Sequence, residues 1–232
     1  IADLDLSYPW ELPAEQGIEL ARQCEDAARA HQGISNSEGA SVATHRGVSV
    51  YANTHGFIGG YPATRHSISC SVIATDDAGM QRDYWYSVAR DANDLEQPAD
   101  VGNKAAERAL MRCNARKLKT SQVPVIFKAD VAGSLFRHFI SAVSGSNLYR
   151  QSSFLLDHLG QQIFPRFLQI HERPHLLKGL GSAAYDNEGV ATRDHALVSD
   201  GVLESYVLGS YAARKLGMQT TANAGGVHNL QI

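Results

Sequence analysis

Cysteine is scarce in this sequence: three residues, Cys24, Cys70 and Cys113, with no C-x-x-C pair. An odd, widely spaced set argues against a disulfide framework and suits a reducing compartment. Each sits among apolar or small residues, the setting of a buried small hydrophobe. An excess of charge is also lacking. The 21 Lys and Arg against 24 Asp and Glu leave a formal net charge of −3, which does not favour nucleic acid or an anionic membrane as the main partner. No apolar run approaches the roughly 20 residues that span a bilayer. The opening Ile1-Ala2-Asp3-Leu4-Asp5 has no signal-peptide pattern and no initiator Met, which suggests a fragment or a trimmed form. The strings G-x-S-x-G, P-loop and G-x-G-x-x-G are missing, so neither a serine nucleophile elbow nor a nucleotide cradle is indicated. Internal repeats and low-complexity tracts are absent too.

What is present is an ordinary globular composition. With 44% hydrophobic and 19% charged residues, the 232-residue chain can bury a sizeable core, as one large domain or two small ones. Pro13, then Ile18, Ala21, Cys24 and Ala28 at helical spacing, predict a first helix stopped by Gly33. From about Ser41 to Arg90 the period changes to two, with Val42, Val48, Val50, Ile68, Val72, Trp85 and Val88 among polar alternates. Turn signals at Arg46-Gly47, His55-Gly56, Gly59-Gly60 and Asp77-Ala78-Gly79 divide that stretch into an antiparallel meander of four strands. Ala105, Ala106, Ala109, Leu110 and Cys113 then share one helical face.

A polar, basic segment near Lys117 to Gln122 marks a boundary, giving domains 1–118 and 119–232. Beyond it come a strand-like run, Val123 to Phe127, and a small-residue helix, Val131 to Ser144. A strand follows within Ile163 to Ile170, then a hairpin turn at Asp200-Gly201, a short helix from Tyr211 to Leu216, and the glycine-rich Asn223-Ala-Gly-Gly-Val-His-Asn229. The fold class is α+β: an antiparallel β-meander with flanking helices, followed by a mostly β domain containing a small-residue helix.

One string matches a metal signature. His171-Glu172-Arg173-Pro174-His175 is H-E-x-x-H. That spacing works on a helix, where both imidazoles face one zinc and the Glu activates its water. Pro174 lies inside the match, lacks an N–H and pushes Arg173 out of the helical region. A proline costs about 3 kcal/mol in a helix interior. The preceding Phe167 to Ile170 looks like strand, so the motif is read as a decoy in a polar loop. His45, His55 and His66 stand near turns of the meander, and His158 and His195 have no recognisable partners.

Several blocks in fixed order carry a family resemblance: Asn53-Thr-His-Gly56, Tyr61-Pro-Ala-Thr-Arg-His-Ser67, Arg82-Asp83-Tyr84, Arg116-Lys-Leu118, Val123-Pro-Val-Ile-Phe127, His175-Leu-Leu-Lys-Gly179, Ser210-Tyr-Ala-Ala-Arg-Lys-Leu-Gly217 and Ala224-Gly-Gly-Val-His-Asn229. Together they resemble the PmbA/TldE proteins of the TldD/PmbA metallopeptidase family, over nearly the whole chain. Those proteins are about twice as long. In their terms 1–118 is the later part of an N-terminal α+β domain, and 119–232 the first part of a C-terminal β-rich domain. The resemblance implies a cytoplasmic protein that pairs with a TldD-type subunit, as a heterodimer or higher assembly, and leaves a homodimer open. It implies action on flexible peptides, in precursor maturation or antitoxin degradation. The alternative it offers is a non-catalytic regulator or peptide-binding protein, linked to gyrase inhibition or carbon storage.

In TldD a helix bears H-E-x-x-x-H and zinc. Aligned with Gly133 to Val143, that motif meets Arg137, His138 and Ala142 here. A guanidinium has no lone pair to give and a methyl cannot ligate. One imidazole falls short of the roughly three protein ligands a zinc needs. The expectation is therefore no cofactor in this chain, zinc in the TldD partner, and no activity of this chain alone. Arg137, His138 and His228 are the candidates for lining a peptide cavity.

Overall fold

Pro13 cannot donate a backbone N–H and suits the start of a helix. Helix α1 (Ala14–Arg29) begins directly after it. Gly33, at φ 95°, turns the chain out of the helix. Three long strands follow, β1 (Ile34–Ala52), β2 (Ile58–Asp76) and β3 (Gly79–Ala89), as one antiparallel meander in the order β1-β2-β3. Helix α2 (Pro98–Met111) carries Pro98 in its first turn. Next come α3 (Ala129–Ala142) and α4 (Gly145–Tyr149), then β4 (Ile170–Glu172), β5 (His195–Ser199), β6 (Val202–Leu203), α5 (Ser210–Lys215) and β7 (Leu230–Gln231).

This computed structural model describes residues 1–232 and divides them into two units. The meander unit holds Leu6–Val48 and Pro62–Gln122. The other holds Ile1–Asp5, Ser49–Tyr61 and Val123–Ile232, so the tip of the β1–β2 hairpin groups with the C-terminal half.

In the meander unit the alternation of β2 sends Thr64, His66, Ile68, Cys70, Val72 and Ala74 to one buried face. Cys24 and Ala28 of α1 and Val101, Ala105, Ala106 and Ala109 of α2 fill the same core. Small residues let the two helices approach closely. A methyl at Gly102 would collide with the backbone carbonyl of Cys24.

The meander has three strands where four were expected. Gly47, Gly59 and Gly60 lie inside β1 and β2, in conformations any residue adopts, so those strands run through the supposed turns. The chain reverses at Gly56 (φ 87°) and Gly79 (φ 130°), where a positive φ favours glycine.

The C-terminal unit is built around a four-stranded sheet of order β6-β5-β4-β7, with β4 antiparallel to both neighbours. The β5–β6 hairpin turns at Asp200 (φ 49°) and Gly201 (φ 76°), two positive φ values that define a tight primed turn. Phe139, Val143, Leu148, Ile170, Leu197 and Leu203 lie in its core. Two strand expectations fail here. Of the stretch from Ile163 to Ile170, Ile170 alone enters a strand. Val123 to Phe127 forms none, because no other segment of the chain pairs with it.

Candidate functional site

Strand β4 is short, and its pleat decides which side chains can do chemistry. Ile170 and Glu172 face inward and His171 faces solvent. Glu172 is 1% exposed, a carboxylate placed in the interior of the C-terminal unit. It stands opposite His195 of β5 on one side and Leu230 of β7 on the other.

A buried carboxylate needs donors around it. They come from the glycine-rich loop that precedes β7. Asn223 Nδ2 lies 2.9 Å from each carboxylate oxygen. The backbone N–H of His228 donates to Oε1 at 2.6 Å, and His228 Nδ1 lies 2.7 Å from the same oxygen. The Thr221 hydroxyl donates to Asn223 Oδ1 at 2.7 Å, which fixes the amide so that its nitrogen faces Glu172. Burial pushes the Glu172 carboxyl upward, but the bonds from His228 and Asn223 outweigh it and hold the group below the ordinary carboxylate range. Glu172 is therefore an ionised acceptor. His195 Nε2 is 3.6 Å from Oε2, too far for a hydrogen bond, and is itself buried without a partner.

A second acid holds the same loop. Asp186, 3% exposed, accepts from the backbone N–H of Ala224 through Oδ2 at 3.0 Å. Its Oδ1 accepts from Glu188 and Val190 at 2.9 and 3.0 Å. Positive φ at Ala222 (62°), Gly225 (101°) and Gly226 (117°) lets the loop bend between these two anchors. A cleft of about 500 Å³ opens beside β4, with His171, Glu172, Arg173, Asp194, His195 and Gln231 among its walls.

The three residues of the H-E-x-x-H match do not act together. The strand sends His171 and Glu172 to opposite faces. His175 sits in the loop beyond, where its Nε2 is 3.0 Å from Thr192 Oγ1. No three His, Cys, Asp or Glu side chains are placed to share a metal ion. On α3, Arg137 and His138 are exposed and make no hydrogen bond or ion pair, so nothing ties them to His228. Of the three cavity candidates, His228 alone is part of a built cluster. The meander's His66 is buried with both ring nitrogens engaged, Nδ1 by Thr44 Oγ1 and Nε2 by Tyr8 O, each at 2.8 Å. Cys24 and Cys70 are buried in the meander core. The Cys70 thiol and burial both push the Cys24 thiol above its ordinary range, the opposite of an activated nucleophile.

Sequence reasoning missed Asn223, His195 and Asp186 as parts of one cluster. The available signal was the glycine-rich loop itself, since the parts of such a loop that turn inward must anchor their backbone to acceptors elsewhere.

Comparison with known proteins assigns both halves of the chain. Residues 7–112 match the PmbA/TldA metallopeptidase central domain, and residues 120–232 match the PmbA/TldA metallopeptidase C-terminal domain. The chain belongs to the PmbA/TldD metallopeptidase family. Metalloprotease PmbA of Escherichia coli O157:H7 is 48% identical over 99% of this chain, which spans 51% of that protein. A crystal structure from Bacteroides thetaiotaomicron, described as a candidate modulator of DNA gyrase, superposes with a TM-score of 0.92 at 28% identity, over 99% of this chain and 53% of that one. TldE from Thermococcus kodakarensis shares the fold, with a TM-score of 0.78 at 19% identity, over 99% of this chain and 57% of that one. The chain thus spans about half the length of these PmbA/TldD relatives. No helix is long and apolar enough to cross a membrane.

The family name implies a metal, and α3 tests the fit. The three α3 residues that the resemblance sets against a zinc motif, Arg137, His138 and Ala142, hold one imidazole between them, and such a set does not suit zinc.

Proposed function

We propose that this chain is part of a PmbA/TldE-type subunit of a TldD–TldE metallopeptidase assembly that cleaves flexible peptides. In this reading the TldD-type partner supplies the zinc, and the present chain supplies a wall of the peptide cavity. The observation that carries the reading is the departure in ligand chemistry on α3, in a chain matched along nearly its whole length to family domains. A helix that offers Arg137 and Ala142 where the metal-bearing relative offers two histidines supports a division of labour between subunits. The β6 end of the C-terminal sheet is taken by residues 160–164, which leaves β7 at the other end as the strand against which an extended, unfolded substrate would pair through its main chain with little side-chain preference.

The test is reconstitution. The full-length protein and its TldD-type partner are purified alone and together, and each preparation is assayed for zinc and for cleavage of an unstructured peptide. The expected result is cleavage by the pair, none by this protein alone, and zinc in the partner. A second reading, a non-catalytic regulator, draws on the description of the Bacteroides thetaiotaomicron relative as a candidate modulator of DNA gyrase. Absence of cleavage by the pair would favour it.

A further inference from the structure

The Glu172–His228 pair has a consequence for substrate. The carboxylate is ionised and can only accept, so the imidazole must place a proton on Nδ1 to make the 2.7 Å bond. The partner of one ring nitrogen sets the role of the other. Nε2 of His228 has no hydrogen-bonding partner within the chain, and it is not among the buried unpartnered atoms, so it reaches solvent. His66 shows the contrast: both of its nitrogens are used and it is wholly buried. The ring of His228 is held at one end by its bond to Glu172, with its own backbone N–H on the same carboxylate, and is free at the other. It sits two residues before β7, an outer strand of the C-terminal sheet.

We infer that His228 Nε2 accepts a hydrogen bond from a backbone N–H of an extended peptide substrate, with Glu172 as the positioning residue that fixes the ring. This rests on the peptidase reading above. The ligand class is an unfolded peptide, recognised through its main chain. A ring whose Nδ1 is committed to Glu172 presents Nε2 in a fixed direction, which suits that task because every non-proline residue of a peptide offers the same N–H.

The experiment uses the full-length protein assembled with its TldD-type partner. An unstructured fluorogenic peptide is compared with a set of versions, each N-methylated at a single backbone amide. The variant is His228→Asn, whose side-chain amide can still donate to Glu172 but offers no acceptor at the Nε2 position. With the unaltered assembly, one N-methylation should raise KM about tenfold, the order of one hydrogen bond, with little change in kcat. With His228→Asn, KM for the parent peptide should rise by a similar factor, and the same N-methylation should cause no further rise. Strict additivity of the two changes would overturn the inference. So would an unaltered assembly that cleaves every N-methylated peptide with unchanged KM, which needs no variant to fold. A divalent metal ion bound stoichiometrically through His228 would also overturn it. If the unaltered assembly cleaves no peptide at all, the peptidase reading fails and this inference falls with it.

Discussion

A carboxylate that is almost wholly buried stays ionised only while donors surround it, and at Glu172 they come from Asn223 and His228. Removing the acceptor strands those donors. Glu172→Ala is expected to destabilise the chain by about 3–5 kcal/mol, the usual loss when one partner of a buried pair is deleted, as read by chemical denaturation. The same group sets a pH dependence. Its folded-state pKa is lowered, so its contribution is fully present above the unfolded value of about 4.3 and fades as pH falls through the folded value. The melting temperature should therefore drop more steeply below about pH 4.3 in the unaltered chain than in Glu172→Gln. Equal slopes would mean that Glu172 is not held ionised by its neighbours. At this scale the sequence was only half legible. H-E-x-x-H drew attention to Glu172, and Pro174 argued correctly against a helix there. The true partners lie some fifty residues away along the chain, beyond the reach of any spacing rule.

At the scale of elements, helix positions were the most readable feature, because apolar residues repeat every three or four positions and prolines and glycines mark the ends. Helices α1, α2, α3 and α5 all fall within a few residues of their expected spans. The close crossing of α1 and α2 depends on Gly102, where a side chain would meet the Cys24 carbonyl. Gly102→Ala should cost about 1–3 kcal/mol by overpacking, despite the better helix propensity of alanine, as a shift in the denaturation midpoint. Strands were harder. Glycines that look like turns, Gly47 and the pair Gly59-Gly60, lie within long strands, since glycine is as comfortable extended as turned. The run from Val123 to Phe127 has strand chemistry but no strand, because pairing requires a neighbour that residues 1–232 do not provide. No backbone N–H from 115 to 127 donates within the chain, and Leu118 and Ile126 are 91% and 94% exposed. Amide hydrogen exchange of residues 1–232 should be fast throughout 115–127 and slow in the paired core of β2 and β3. Protection across 115–127 would show that the segment finds a partner.

For the molecule as a whole, two units share one chain, and the contacts do not follow a single cut. The hairpin tip, residues 49–61, and the first five residues group with the C-terminal half, a long-range arrangement that composition and local pattern cannot announce. The family could be read from ordered sequence blocks and is shown by the two domain matches. On the function proposed above, this chain serves a metallopeptidase whose zinc the partner holds. The most direct measurement is anomalous scattering at the zinc edge from crystals of the full assembly with its TldD-type partner. The expected result is a peak inside the partner and none bounded by side chains of residues 1–232. A peak held by three or more of these side chains, wherever they lie, would contradict it.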